Sequence, residues 1–365
     1  VTLSDFDAYR PENEPRRKKR RTRPPGQRRG GGAGDGSREM PMVEDVEFAD
    51  SYYGRPIVKP PPWDDKISAY LFLGGIAGGS AMLAIGADRI GFDKLRRNTR
   101  LTALGATIAG TGFLVADLGR PERFHHMMRT FKPASPMNMG TWILSAFGVG
   151  AGVVAAIDVD RMTGQKIPLG VLRPIVYAFE KPAGLLAALM GAPLASYTGA
   201  LLADTSVPTW NGGKDNLSYL FVSSAAMASS GVALLTTPTS ETRPARVFAT
   251  LGAASELYFS EKLTADMHPV EAEPLQTGRP ARKLRWAQAL TIAGGVGAAL
   301  LGRNRIAAMA SGAALASASY LTRSAILEAG INSTKDPRHV VEPQRDRLAA
   351  RRAQGIVDDS ITTVG

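Results

Sequence analysis

The chain has 365 residues, a formal net charge of +11 and a mean hydropathy of −0.08, an average that reads as soluble. It holds no cysteine, which excludes disulfides and any cysteine-ligated iron–sulfur cluster or zinc site within this chain. Four histidines (His125, His126, His268 and His339) are all it offers as imidazole ligands.

The average hides an uneven distribution. Residues 1–50 carry the run PRRKKRRTRPPGQRRGGG, which has almost nothing to bury and is expected to be a disordered basic tail. No signal-peptide pattern follows it. Residues 51–66 form a Pro-rich lead-in. From residue 67 to 327 the chain becomes rich in Ala, Gly and Leu, and a polar tail, also expected to be disordered, occupies 328–365.

A membrane helix needs roughly 20 mostly apolar residues. In order, Ile67–Ala87, Leu101–Ala116, Pro133–Ile157, Pro182–Ala203 and Asn216–Ser240 are uncharged. Val247–Leu263 is interrupted by Glu256. Trp286–Gly302 and Ile306–Thr322 are again uncharged and separated by Arg303-Asn304-Arg305. The expected fold is therefore all-α: an integral membrane helical bundle of about eight transmembrane helices. An even number of spans puts both tails on one face. The helices are rich in small residues, as in GGIAGGSAMLAIGA, which let backbones approach closely inside lipid. A soluble bundle of Ala-rich helices is the rival, but uncharged runs of this length on a soluble surface would aggregate. The positive-inside rule claims both the basic N-terminal tail and the loop 88–100 for the cytoplasm, although they fall on opposite faces; cytoplasmic tails are the expectation.

A membrane subunit that carries electrons on b-type haems places histidines within its helices. None of the expected spans contains one, so no haem is expected here, and any electron carriers would belong to a partner. The polar groups instead collect on the tail side. They comprise the start of the first span (Trp63, Asp64, Asp65, Lys66, Tyr70), the stretch Asp117–Trp142, the end of the fourth span (Tyr197, Asp204) and Val207–Asn211. The stretch DLGRPERFHHMMRTFKPASPMNMGTW carries more chemistry than a turn requires, with Arg120, Arg123, Glu122, His125, Asn138 and Trp142 among its side chains. Tyrosine, histidine, asparagine and tryptophan together suit a quinone, whose carbonyls want donors and whose ring wants apolar walls. The competing reading is an ordinary interfacial belt of Trp, Tyr and snorkelling Arg.

The phrases YLFLGGIAGGSAM (70–82), LGRPERFHHMMRTFKPASPMNMGTW (118–142) and YTGALLADTSVPTWN (197–211) resemble the NrfD/PsrC family, the membrane subunits of polysulfide, nitrite, thiosulfate and formate oxidoreductase complexes. SYYGRPIVKPPPW (51–63) resembles their lead-in, and the resemblance runs in order from Ser51 to Leu327. It implies a haem-free subunit, without an iron–sulfur cluster of its own. Such a subunit exchanges electrons between menaquinone or ubiquinone and a four-cluster ferredoxin-like iron–sulfur subunit, with a molybdopterin catalytic subunit beyond. It also implies a plasma-membrane protein, with Tyr197 of the YTG motif at the quinone. Polar residues near the start of the first span contribute in the family; here that region offers Tyr70.

The expected quinone-binding set is thus Tyr197, Tyr70, Asn138, Trp142 and His125, with Gly199 leaving room for the ring. Glu256 and Asp117 are expected on a proton path, since intramembrane carboxylates are costly and mark such routes; an ion pair or a misplaced helix boundary is the bland alternative. Arg120 and Arg123 are expected to dock the iron–sulfur partner. No metal is expected at His125-His126, because adjacent residues on a helix do not face one site. The N-terminal basic run suits an anionic lipid surface better than nucleic acid. A transporter or proton channel without redox function, and a passive membrane anchor, are the alternatives from other classes.

Overall fold

The structure is a computed structural model that describes residues 56–118 and 121–355. The expected N-terminal tail 1–50 and the last ten residues lie outside the described residues. Among the described residues, eight long helices carry the fold: α1 (Asp65–Arg89), α2 (Asp93–Asp117), α3 (Pro136–Met162), α5 (Glu180–Ala203), α7 (Lys214–Thr236), α8 (Arg243–Asp266), α10 (Gly278–Val296, continued by a π turn to Leu301) and α11 (Arg305–Ser333). Shorter helices join them: α4 (Arg173–Ala178), α6 (Pro208–Gly212), α9 (Pro269–Gln276) and, last, α12 (Arg338–Ala353). Among the described residues there is no strand.

Six of the eight, α1, α2, α3, α5, α7 and α10, are long and apolar enough to cross a membrane. The other two, α8 and α11, have the length, 24 and 29 residues, but fall short of that apolarity, and each carries charge along its length. Part of that charge is internal: Glu256 of α8 and Arg323 of α11 are 3 % and 0 % exposed.

The helices form two four-helix units with the same plan. In the first, α1 packs on α2 and α5, and α3 packs on α5. In the second, α7 packs on α8 and α11, and α10 packs on α11. The units meet chiefly through α1 and α7. A weak echo in sequence accompanies the repeat: Tyr70-Leu71-Phe72 near the start of α1 reappears as Tyr219-Leu220-Phe221 near the start of α7. Close approach is achieved at matching stations. Gly78 of α1 lies against the backbone of Gly191 on α5, and Gly231 of α7 against the backbone of Gly312 on α11. A side chain at any of the four would collide with main chain, so these helices touch only because glycine stands there.

Long-range contacts fix the direction of each helix. The start of α1 meets the end of α5 through Tyr70 and Tyr197, while the start of α2 meets the end of α3 through Arg100 and Asp158. One face therefore collects the lead-in, a 3-10 helix Pro121–Met128, α6, α9 and α12, and it is called the tail face below. The opposite face has α4 and tight turns, one of them at Gly91 with φ +75°. Both chain ends of the described part lie on the tail face, as an even number of spans requires.

Element bounds differ from the sequence expectation where charge misleads. The helix expected to stop at Thr322 continues to Ser333, because Arg323 turns inward rather than ending the span. The tail expected from residue 328 is helical through Ala353 in the described part. Helix α12 is pinned to α9 by Arg338–Glu273 (2.8 Å) and by Arg347–Glu271, with buried His339 beneath it. The uncharged run Pro133–Ile157 opens on residues that look like loop in the sequence; 133–135 are loop, and α3 begins at Pro136, a residue suited to the first helical position.

Candidate functional site

At the tail-face end of the first unit, α1, α2, α3, α5 and the 3-10 helix enclose a mainly apolar crevice of about 260 Å3. Its inner wall carries Tyr70 and Tyr197, whose phenol oxygens hydrogen-bond to each other. Tyr70 is 6 % exposed and Tyr197 is half-buried. Such a pair uses one hydroxyl proton internally and leaves the other free. Three of the other lining hydroxyls are committed to helix carbonyls: Thr107 donates to Ala103 (2.6 Å), Thr141 to Met137 (3.2 Å) and Ser145 to Thr141 (2.8 Å). The crevice therefore presents one free phenolic donor among methionine, leucine and phenylalanine side chains. An amphipathic molecule with an apolar ring and a carbonyl acceptor fits that pattern.

Tyr197 owes its position to Gly140 of α3, where any side chain would overlap the tyrosine ring. Gly199 plays a different part from the expected one. It faces the backbone of α7 at Leu217 and Ser218 and serves helix packing, with no room for a ring beside it.

The 3-10 helix covers the mouth. Phe124, Met127 and Met128 line the crevice. His125 is exposed on the outer side and turns its ring edge to Phe124 and His126. Asn138 and Trp142 brace the loop from beneath. The Asn138 amide accepts from Lys132 N (2.7 Å) and donates to the carbonyls of Met127 (3.2 Å) and Thr130 (3.0 Å). The Trp142 indole donates to Thr130 O (3.3 Å) and meets Phe131 edge-on. Neither lines the crevice; both hold its lid.

Asp117 ends α2 at the outer lip and shares its electrostatic surroundings with Asp64 and Lys66. Asp64 caps α1 by accepting from Lys66 N at 2.7 Å. Trp63 stacks on Trp210 at 5.4 Å, and Trp210, 1 % exposed, donates to Ile326 O (2.8 Å). These contacts gather the lead-in, α6 and α11 beside the crevice. Arg120 lies outside the described residues, and Arg123 belongs to the 3-10 helix on the tail face.

Glu256 stands apart, inside the second unit. Its Oε1 accepts from Thr322 Oγ1 at 2.6 Å, and its Oε2 has no hydrogen-bond partner among the described residues. The sequence reading missed its neighbour Arg323, which donates to the carbonyls of Leu71 (3.0 Å) and Phe221 (2.7 Å) and lies over the Phe221 ring. Also missed was an ionic cluster at the opposite face, where Arg100 reaches Asp158 (3.4 Å) and Glu180 (2.8 Å), and Arg161 closes on Glu180 (2.6 Å). Beside it, Arg173 and Tyr177 bind Asp160, and that contact, after burial, raises the phenol pKa of Tyr177. Glu180, a boundary residue in the sequence, is thus an ion-pair member. Among the described residues, no group of three or more His, Asp or Glu side chains is placed to hold a metal.

Residues 57–246 match the family model described as polysulphide reductase, NrfD. The chain belongs to this NrfD family. It is 32 % identical over 192 residues to protein NrfD of Escherichia coli, covering 47 % of this chain and 58 % of that protein. A protein NrfD homolog of Haemophilus influenzae is 31 % identical over 190 residues, covering 47 % and 57 %. The C subunit of the polysulfide reductase of Wolinella succinogenes is 27 % identical over 150 residues, covering 39 % and 47 %. The chain thus spans about half the length of the curated relatives it matches. With its long apolar helices, this NrfD-family protein is a multi-pass plasma-membrane protein. The family match contains the whole tyrosine crevice and ends within the first turn of α8.

Proposed function

We propose that this protein is the quinone-reacting membrane subunit of a molybdopterin oxidoreductase complex. It exchanges electrons between menaquinone or ubiquinone and a four-cluster ferredoxin-like iron–sulfur subunit. One observation carries the reading: two tyrosines meet at the inner wall of an apolar crevice, on the face that also bears the charged loop and the docked C-terminal helix. Quinone reduction takes up two electrons and two protons, and quinol oxidation returns them. The electrons reside in the partner. This subunit's residues bind the ring, donate to a carbonyl and deliver or accept protons.

In this scheme Tyr70 donates to Tyr197, which is the more open of the two, and Tyr197 donates its own proton to a quinone carbonyl. Asp117, at the lip, relays protons between the crevice and the tail face. Asn138, Trp142 and His125 act through the loop, the first two by bracing it and His125 on its outer surface. Arg120 and Arg123 dock the iron–sulfur subunit. Glu256 forms part of a second proton route through the α7–α11 unit, supported by its burial and its unpaired Oε2.

The test uses the complex that co-purifies with the detergent-extracted protein, its subunits identified by mass spectrometry. Replacing both Tyr70 and Tyr197 with Phe is expected to lower quinone turnover at least as far as Tyr197→Phe alone. Electron transfer from the catalytic subunit to a soluble dye should survive. Unchanged quinone turnover in the double variant would overturn the reading.

A further inference from the structure

The second unit has its own tail-face crevice, of about 460 Å3, at the station that corresponds to the tyrosine crevice. Each is bounded by the last turns of the unit's second helix, a short crossing helix, the first turns of the third helix and one residue or more of the fourth. The contents differ. The floor of the second crevice is apolar and buried: Leu220, Leu263, Leu275 and Ile326 are each 4 % exposed or less. Its rim carries exposed Glu261 on α8 and exposed Arg285 and Gln288 on α10.

Neither Glu261 nor Arg285 has an ion-pair partner among the described residues, although their charges are opposite and both border one trough. Glu261 lies five residues before the end of α8 and Arg285 seven after the start of α10. At 1.5 Å per residue, both sit about 7–10 Å in from the helix ends. Trp286 and Tyr258, 67 % and 58 % exposed on the same two helices, mark this level as the membrane interface, where such rings collect. An unneutralised carboxylate is costly there, and glutamate is too short to snorkel far.

We propose that this crevice binds one zwitterionic phospholipid of the phosphatidylethanolamine type. The ammonium meets Glu261, the phosphate meets Arg285, and an acyl chain lies along the leucine floor. A headgroup carrying both charges satisfies both side chains at once. A phosphatidylglycerol headgroup offers only the anion, and a quinone, being neutral, matches neither charge. The two crevices thus have the same address in the repeat and different guests.

The test is native mass spectrometry of the full-length protein, delipidated by detergent exchange and titrated with palmitoyl-oleoyl phosphatidylethanolamine or the matching phosphatidylglycerol. One phosphatidylethanolamine should be retained about tenfold more strongly than phosphatidylglycerol, the effect of one charge-assisted contact. Glu261→Gln should bring the two lipids level, and Arg285→Gln should weaken both. Lys181→Gln, on the opposite face, should change neither. Thermal unfolding of the unmodified protein provides a variant-free check, with phosphatidylethanolamine raising the melting temperature more than phosphatidylglycerol. Equal retention of the two lipids by the unmodified protein, or selectivity unchanged in Glu261→Gln, would overturn the proposal. So would displacement of the bound phospholipid by decylubiquinone.

Discussion

The first unit closes its interior around two phenols and leaves an apolar crevice; the second closes around a carboxylate and a guanidinium. The skeleton is common to both: a hairpin, a crossing helix, a second hairpin, and a glycine contact between the unit's first and last long helices. The side chains at matching stations are not. Beside Tyr70 on the first helix of one unit, Gly75 leaves space that the Arg323 guanidinium enters from the other; a Cβ there would stand 2.7 Å from Nη2. The scaffold decides where a cavity can form. A few large or charged side chains decide whether it is filled, and with what.

The largest effect should come from breaking the second unit's polar core. Arg323→Ala would strand Glu256 and leave the carbonyls of Leu71 and Phe221 without their donors. Each of those charge-assisted hydrogen bonds contributes about 1.5–3 kcal/mol, so unfolding of this variant in detergent should move to a much lower temperature. Pairing Arg323→Met with Glu256→Leu removes both buried charges and should recover part of that loss. A double variant no more stable than Arg323→Ala would show that the guanidinium acts through its carbonyl contacts rather than through Glu256.

Next come the matched glycines. Gly78→Val and Gly231→Val each force a side chain into the main chain of a neighbouring helix, and overpacking of this kind costs about 1–3 kcal/mol or more. Similar losses at the two sites would support equal construction of the units. A large loss at one and none at the other would break the comparison.

Tyr197→Phe isolates the phenol. Losing a hydrogen bond of this kind costs about 0.5–1.5 kcal/mol, or roughly a two- to twelvefold loss in quinone turnover or rise in quinone KM. Folding, assembly and dye-linked electron transfer should be intact. Parental quinone kinetics in this variant would leave Tyr197 as an interfacial tyrosine. The smallest effect is expected at Tyr219, the repeat counterpart of Tyr70, which is 59 % exposed and stacked on Phe259. Tyr219→Phe should alter stability by less than about 0.5 kcal/mol and quinone kinetics not at all. A kinetic defect there would mean that the second unit also handles quinone.

Composition and local pattern were enough for the membrane class, the helical architecture and the tail-side gathering of polar residues, because these follow from long uncharged runs and from where the charges interrupt them. The resemblance of short motifs was enough for the NrfD family. The functions of single side chains were less legible. Tyr70 and Tyr197 stood out as aromatic polar residues near helix ends, but their contact spans 127 positions. Asn138 and Trp142 carry the right chemistry for a quinone, yet their donors are turned to the loop's carbonyls, a choice made by the path of residues 127–132. Gly199 and Gly140 look alike in sequence; only the neighbouring helix assigns one to a backbone contact and the other to a tyrosine ring. Arg323 appeared as the end of a span because a charge in sequence carries no direction. Tertiary packing turned it inward, where the carbonyls of Leu71 and Phe221, contributed by helices far away in the sequence, satisfy it. A run of residues sets how much polarity a helix carries, whereas the neighbours that can satisfy it come from elsewhere in the protein, so only the assembled bundle settles which polar group is buried, paired or left open to a ligand.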